Sequence, residues 1–114
     1  MTQIIGIICK DSQLTSVVTD KAKEKGFSVY SLNDKIREMS GYLHPRQSKD
    51  VISKLRKSGY KIHKHYWINL LIASIPKNNK ILFTELEEED CIPKIMEIHR
   101  VDRKNLEDVI KSIV

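Results

Sequence analysis

The opening segment of this chain is a nearly continuous apolar run, TQIIGIIC over residues 2–9. A strand that is apolar on both faces is typical of the centre of a parallel sheet, where helices cover the sheet from both sides. Apolar residues then recur at helical spacing from Leu14 to Ala22, and Gly26 follows as a helix stop. A buried strand followed at once by an amphipathic helix favours folds in which strands and helices alternate.

Strands and helices alternate along the whole sequence. We predict strands over residues 3–9, 27–32, 80–84 and 94–99, and helices over residues 12–25, 33–39, 48–57, 64–75 and 103–113. A break is expected at residues 41–45, and Ser58-Gly59 is expected to end the third helix. This order predicts one α/β domain of three layers over residues 1–114, with a mainly parallel four-stranded sheet and helices on both faces. The first and third strands are the most apolar, so we expect them at the centre. We expect the functional edge at the carboxyl ends of the strands.

The composition restricts the location and the partners of the chain. The formal net charge of +5 favours acidic partners such as phosphates or nucleic acid, although a lysine-rich solvated surface explains the same excess. Cys9 and Cys91 are far apart and form no C-x-x-C pair, and no signal peptide is recognisable, so we expect reduced thiols and a cytoplasmic protein. No apolar run approaches the roughly 18–20 residues that cross a bilayer, so we expect no membrane partner.

The turn after the first strand has the frame of a phosphate-binding loop without its chemistry. Such a loop reads G-x-x-x-x-G-K-[ST], because glycines let backbone amides wrap the phosphates and the lysine neutralises their charge. Residues 9–16 read CKDSQLTS. Cys9 and Leu14 stand at the glycine positions, Thr15 stands at the lysine position, and only Ser16 fits. The sequence therefore predicts that ATP-dependent phosphoryl transfer has been lost and that no nucleotide is bound.

Several motifs occur in an order that resembles the P-loop nucleoside monophosphate kinases, most of all the phage-type deoxynucleoside monophosphate kinases. The segment at 6–16 and the EKGF at 24–27 match the strand, loop and first helix of that family. SLNDKIRE at 31–38 resembles the segment that places a basic residue over the acceptor phosphate. Leu55-Arg56 and YWI at 66–68 resemble the mid-chain helices, and KILFT at 80–84 resembles the strand before the D-x-R element.

The resemblance implies a degenerate P-loop-kinase-like fold from which the Walker A motif and the lid are lost. The D-x-R pattern is absent, since TELE occupies residues 84–87, and no arginine-rich lid segment follows. If a phosphate were still held, the residues that match the family's basic and hydroxyl positions, or that lie in the loop, would hold it. These phosphate-binding candidates are Lys10, Ser16, Arg37 and Arg56. For Arg37 the alternative is an ordinary exposed side chain near a helix start.

The densest basic region lies between residues 54 and 67, with aromatic side chains interleaved. Such a mixture can bind a nucleic-acid backbone and stack bases, or it can dock on another protein. The helix, Ser58-Gly59 and the next helix also permit a helix-turn-helix arrangement. Against stacking, Trp67 sits on a helix whose other residues look like core. The candidates for nucleic-acid or partner binding are Lys54, Arg56, Lys57, Lys61, Lys64 and Trp67.

Two further groups have weaker interpretations. His63 and His65 have no clear third ligand, so we predict no metal site. The acidic run at 85–90 is predicted to be a solvated loop or a patch for a basic partner, with Mg²⁺ binding or acid–base work as the alternative. Basic helices and an acidic run on one small domain predict a dipolar surface that suits self-association or protein docking.

The sequence thus predicts a non-catalytic P-loop-kinase-like protein without catalytic residues or cofactors, which binds or regulates a macromolecular partner. The predicted partner is another protein or a second copy of the chain. The resemblance also suggests a viral or mobile-element source. Two alternatives stay open. One is a reduced nucleotide kinase or phosphate-ligand binder that uses the four phosphate-binding candidates. The other is a basic nucleic-acid-binding module that uses residues 54–67.

Overall fold

A parallel sheet divides the domain into layers. The computed structural model describes residues 3–39, 49–76 and 79–113, and leaves the side chains of residues 39 and 49–51 undescribed. In this part of the chain the sheet has four strands in the order β2-β3-β1-β4. Every pairing is parallel, so the predicted four-stranded sheet and the central position of the first and third strands are confirmed. The strands are β1 (Gln3–Ile8), β2 (Ser28–Ser31), β3 (Lys80–Thr84) and β4 (Glu97–Arg100).

Helices pack on both faces of the sheet, as the alternating pattern predicts. One side carries α1 and α5, which pack against each other, and the other carries α2, α3 and α4. A single 3-10 turn at Glu88–Asp90 follows β3 in the described residues. The helices are α1 (Ser12–Glu24), α2 (Leu32–Met39), α3 (Lys49–Ile62), α4 (Tyr66–Ser74) and α5 (Leu106–Ser112).

Each face of the sheet has its own apolar core, because side chains alternate along the strands. In β1, Ile5 and Ile7 belong to the core under α1 and α5, whereas Ile4 and Ile8 pack against the core under α2–α4. Gly6 lies on the second side, where a β-carbon would come within 2.8 Å of Leu86 Cδ1. Two cores separated by one sheet give the three layers that the sequence predicts.

The end predicted for the third helix is wrong. Ser58 and Gly59 lie inside α3, which continues to Ile62, and the turn to α4 falls at residues 63–65. The glycine is needed for packing, because a β-carbon at Gly59 would lie 2.7 Å from Cε2 of Trp67. The helix-turn-helix arrangement with a turn at Ser58-Gly59 is therefore excluded. The predicted helix start at Ser48 and the predicted break at 41–45 lie outside the described residues.

The last two elements are shifted from their predicted positions. β4 begins at Glu97 instead of residue 94, because pairing with β1 begins opposite Ile5. α5 begins at Leu106 instead of residue 103, because the Asp102 carboxylate accepts hydrogen bonds from the amides of Lys104 and Asn105 and holds them in a turn. Both shifts place residues 100–105 beside the carboxyl end of β1.

Candidate functional site

The connection between β1 and α1 is short and closed by its own side chain. Only Cys9, Lys10 and Asp11 separate the strand from the helix. Asp11 caps α1, since its Oδ1 accepts hydrogen bonds from the amides of Gln13 at 2.9 Å and Leu14 at 3.4 Å. A helix N-terminus attracts anions through its unpaired amides and its dipole. Here a carboxylate of the chain already occupies that position.

The two phosphate candidates nearest this turn lie apart from each other. Lys10 is exposed on the connection itself. Ser16 lies in the second turn of α1, where its hydroxyl donates to the Ser12 carbonyl at 3.0 Å. A hydroxyl that bonds back to its own helix is not directed at the helix N-terminus. In this arrangement the turn supplies one free ammonium group and no wrapped backbone.

A crevice of about 410 Å³ opens at the carboxyl ends of β1 and β4. Its floor is apolar, with Ile8, Leu14 and Val101 among the lining side chains. Its rim carries three cations and two carboxylates, and two of the cations are paired, Arg100 with Glu88 and Arg103 with Asp11. The rim side chains are Lys10, Arg100, Arg103, Asp11 and Asp102. The volume lies in the range of small-ligand sites, and the carboxyl ends of parallel strands are where such ligands bind.

The second basic candidate, Arg56, lies in a buried polar cluster. Its side chain is 5% exposed, and one guanidinium nitrogen donates to the carboxylate of Asp90 at 2.9 Å. The other nitrogen donates to Asn33 Oδ1 at 2.6 Å and to the Glu85 carbonyl at 2.9 Å. The Tyr60 hydroxyl completes the cluster by donating to Asp90 at 2.7 Å. Arg56 thus joins α3 to the ends of β2 and β3.

Electrostatics in this cluster follow from burial. Asp90 is fully buried, and burial raises its pKa above the usual carboxyl value, against the opposing effects of the Glu87 amide, Tyr60 and Arg56. Burial and the hydrogen bond to Asp90 raise the pKa of Tyr60. The nearby thiol of Cys91 has its pKa raised to about 11, chiefly by burial. Asp90 and Cys91 are buried and Tyr60 is partly buried, so the fold holds all three groups in place.

The raised pKa values predict loss of stability in alkali. In the unfolded chain the Cys91 thiol ionises near pH 9, whereas the folded protein keeps the proton up to about pH 11, so stability falls as pH rises through this window. Tyr60 adds to the loss above pH 10, because its ordinary pKa is 10.0 and the folded value is higher. Urea midpoints from pH 8 to pH 11 measure the slope. Cys91→Ala should flatten it below pH 10, and the control Cys9→Ala should keep it. A slope unchanged in Cys91→Ala contradicts the assignment.

Arg37, the remaining phosphate candidate, lies on α2 and forms an ion pair with Asp34 at 2.9 Å. Next to it, the hydroxyl of Ser31 donates to the carboxylate of Glu85, whose φ of 59° is left-handed.

Each of the four phosphate-binding candidates therefore contacts a different set of groups. The structure places them on three helices and one connection instead of around one anion.

The basic region forms a face on α3. Lys54, Lys57 and Lys61 recur at i, i+3 and i+7 and are exposed, and Lys64 is exposed in the turn that follows. Trp67 differs from them. Its side chain is 7% exposed, packs in the core under α3 and α4, and donates from Nε1 to the Arg56 carbonyl at 3.0 Å. The indole is held inside the domain, so this conformation offers no surface on which a base stacks.

The histidine pair and the acidic run also make contacts within the domain. His63 and His65 lie with ring centroids 5.5 Å apart, and the His65 ring contacts the Glu89 carbonyl at 2.9 Å. Among residues 3–39, 49–76 and 79–113, no group of three or more His, Cys, Asp and Glu side chains is placed to hold a metal ion. Within the acidic run, Glu88 binds Arg100 through two hydrogen bonds of 2.6 Å, and Arg100 lowers the pKa of Glu88. The run is therefore divided among separate partners.

Comparisons with protein-family models, with curated proteins and with solved structures give no match to this chain. None of the helices in the described part of the chain has both the length and the apolar character needed to cross a bilayer.

The sequence analysis did not identify Asp11 as the residue that caps α1 or Asp90 as the residue that binds Arg56. Asp11 had a readable signal, because an aspartate immediately before the first apolar turn of a helix is a typical N-cap. Asp90 had none, because its partner Arg56 is distant in sequence and only the fold brings the two together.

Proposed function

We propose that this chain is a non-catalytic, degenerate relative of the P-loop nucleoside monophosphate kinases that acts as a binding module for a macromolecular partner. The observation that carries the proposal is the Asp11 cap. The amides that would hold a phosphate at the start of α1 donate instead to a carboxylate of the chain. A bound phosphate would have to displace that carboxylate against charge repulsion.

The Arg56 cluster supports the same conclusion. The resemblance implies a phosphate contact for this arginine, but its guanidinium donates to four groups of the protein and is shielded from solvent. Phosphoryl transfer depends on positioned cations around the transferred group. With Arg56 bound inside the fold, the described basic side chains that remain exposed in the mid-chain helices are the lysines of α3 and the turn after it.

Thermal unfolding with and without Mg²⁺ and ATP tests the proposal. A ligand present at 100 times its Kd and selective for the native state would raise the Tm by roughly 10 °C for a domain of this size. We expect no such rise. Asp11→Asn keeps a capping oxygen and removes the negative charge, so this variant measures the effect of charge repulsion. If the charge of Asp11 prevents nucleotide binding, Asp11→Asn should bind the nucleotide more tightly than the unaltered protein. A rise of several degrees in the unaltered protein, or turnover that is lost in Lys10→Gln, would overturn the proposal.

The crevice beside β1 favours a second candidate, a binder of a small phosphate ligand. Its apolar lining and the cations Lys10, Arg100 and Arg103 would suit a phosphate attached to an apolar body, if the ligand displaced Glu88 from Arg100 and Asp11 from Arg103. In the same assay, stabilisation by a nucleoside monophosphate without Mg²⁺, reduced in Arg103→Gln, would favour this candidate over the binding module.

A further inference from the structure

We infer that the partner is duplex DNA, bound through its phosphates by the lysine face of α3, here defined as Lys54, Lys57, Lys61 and Lys64. This inference rests on the proposed function, because it names the partner of that binding module. The first observation is that the lysines of α3 share one face of the helix. The three lysines within α3 lie within a narrow arc of one helix face, since residues at i, i+3 and i+7 are neighbours on the surface.

The opposite face of α3 is fixed to the domain, which keeps the lysines directed outward. Ile52 and Arg56 are buried on that side, and Gly59 faces the Trp67 ring. Arg56 holds the helix to Asp90, and Trp67 holds it through the Arg56 carbonyl. The lysine face therefore lies on a helix that is already packed and hydrogen-bonded to the domain, so partner binding does not have to order this helix first.

The charge of the lysine face is not neutralised within the described chain. The sequence contains no aspartate or glutamate between Asp50 and Glu85. Among the described residues, none of the four lysines forms an ion pair with a carboxylate. The acidic residue nearest in α3 is Asp50, one helical turn before Lys54, and within the described part of the chain the four ammonium groups form no ion pair. They therefore lower the free energy of a polyanion placed against them and help to release its condensed counterions.

The spacing of the lysine face matches a phosphate backbone. A helix rises about 1.5 Å per residue, so Lys54 and Lys61 are separated by roughly 10 Å along the axis of α3. Each DNA strand carries one phosphate per about 3.4 Å of helix axis, so this length spans about three phosphates. Three lysines along the same length supply about one cation per phosphate.

The side chains on this face favour contacts with phosphates over contacts with bases. Lysine binds phosphate as a point charge, whereas base edges are read best by arginine, asparagine or glutamine in bidentate geometry. Between Ile52 and Ile62 the lone arginine is buried, and the exposed polar side chains are lysines and serines. We therefore expect binding that is independent of DNA sequence.

Two observations favour a DNA duplex over other nucleic acids. Single strands are bound largely by stacking on exposed aromatic rings, but Trp67 is buried and donates its Nε1–H to the backbone, and Tyr60 and Tyr66 are partly buried against the core. A helix face fits the wide major groove of B-form DNA, whereas the major groove of duplex RNA is narrow and deep. The lysine face thus fits the backbone along a B-form groove.

Fluorescence anisotropy with a labelled 20-base-pair duplex of mixed sequence tests the inference. We expect binding in the micromolar range at 50 mM salt, with an affinity loss of about 100-fold at 200 mM, because four phosphate contacts give a salt slope near −3.6. Lys54→Gln/Lys57→Gln/Lys61→Gln should weaken binding at least 10-fold and reduce the slope by about 2.7. The matched control, Lys23→Gln/Lys94→Gln/Lys111→Gln, removes the same charge from exposed sites elsewhere and should change affinity less than 2-fold.

The outcomes distinguish failure of the DNA inference from failure of the proposed function. Absence of duplex binding at 50 mM salt, or an equal loss in the control variant, overturns the inference. Tighter binding of a single strand or of duplex RNA also overturns it. If DNA fails to bind and Mg²⁺ and ATP still cause no stabilisation, the binding module stands and duplex DNA is not its partner. If the nucleotide stabilises the protein, the proposed function itself fails. Circular dichroism of both triple variants confirms that each one folds.

Discussion

Replacing Arg56 by methionine is expected to lower the free energy of unfolding by about 3–5 kcal/mol, because the change leaves the buried carboxylate of Asp90 without its cation. It also removes the donors to Asn33 and to the Glu85 carbonyl, which are the links between α3 and the ends of β2 and β3. Urea denaturation followed by circular dichroism measures the difference.

The control is Lys57→Met, one residue further along α3 on the exposed side, which should change stability very little. Adding Asp90→Asn to Arg56→Met should restore part of the loss, because no unpaired charge then remains inside the domain. A loss below about 1 kcal/mol in Arg56→Met would contradict the assignment. It would show that this arginine is solvated and available to a phosphate.

Replacing Trp67 by alanine is expected to cost about 3–5 kcal/mol, since it empties a large volume under α3 and α4 and removes the donor to the Arg56 carbonyl. Trp67→Phe keeps most of the packed volume but loses the hydrogen bond, so it should lower the free energy of unfolding by only about 1–2 kcal/mol. Urea denaturation followed by circular dichroism compares the two, because the chain has a single tryptophan and both variants lose its fluorescence.

The same residue separates a core role from a surface role. If the indole stacked on bases, Trp67→Phe would weaken nucleic-acid binding while leaving stability nearly unchanged. We expect the reverse, with duplex affinity preserved in the folded variant. In the unaltered protein the tryptophan emission should stay constant as DNA is added, and strong quenching would contradict a buried indole.

The sheet was predictable from sequence because its signals are local. The apolar runs of β1 and β3 marked both strands and placed them at the centre, since a strand covered on both faces needs apolar residues at every position. β3 has the bounds that its sequence predicts, Lys80–Thr84. The beginning of α1 was equally readable, because Asp11 precedes a helical pattern and has the chemistry of a cap.

What the sequence failed to show depends on contacts between distant segments. Gly59 suggests a helix end in isolation, and only the approach of Trp67 explains a glycine within α3. Arg56 resembles a phosphate ligand until Asp90 is brought against it from 34 positions away. The location of the lysine face also depended on this packing, because burial of one side of α3 decides which side remains exposed.

The order β2-β3-β1-β4 makes β2 and β4 the edge strands of the sheet. Both are only four residues long, and β4 carries the charged Glu97 and Arg100 at its two ends. Short length at both edges, and the charged side chains of β4, resist the addition of a foreign strand, which is the usual route by which sheet proteins aggregate or exchange segments. Main-chain pairing with another molecule is thus disfavoured, and recognition is left to side chains on the helical layers.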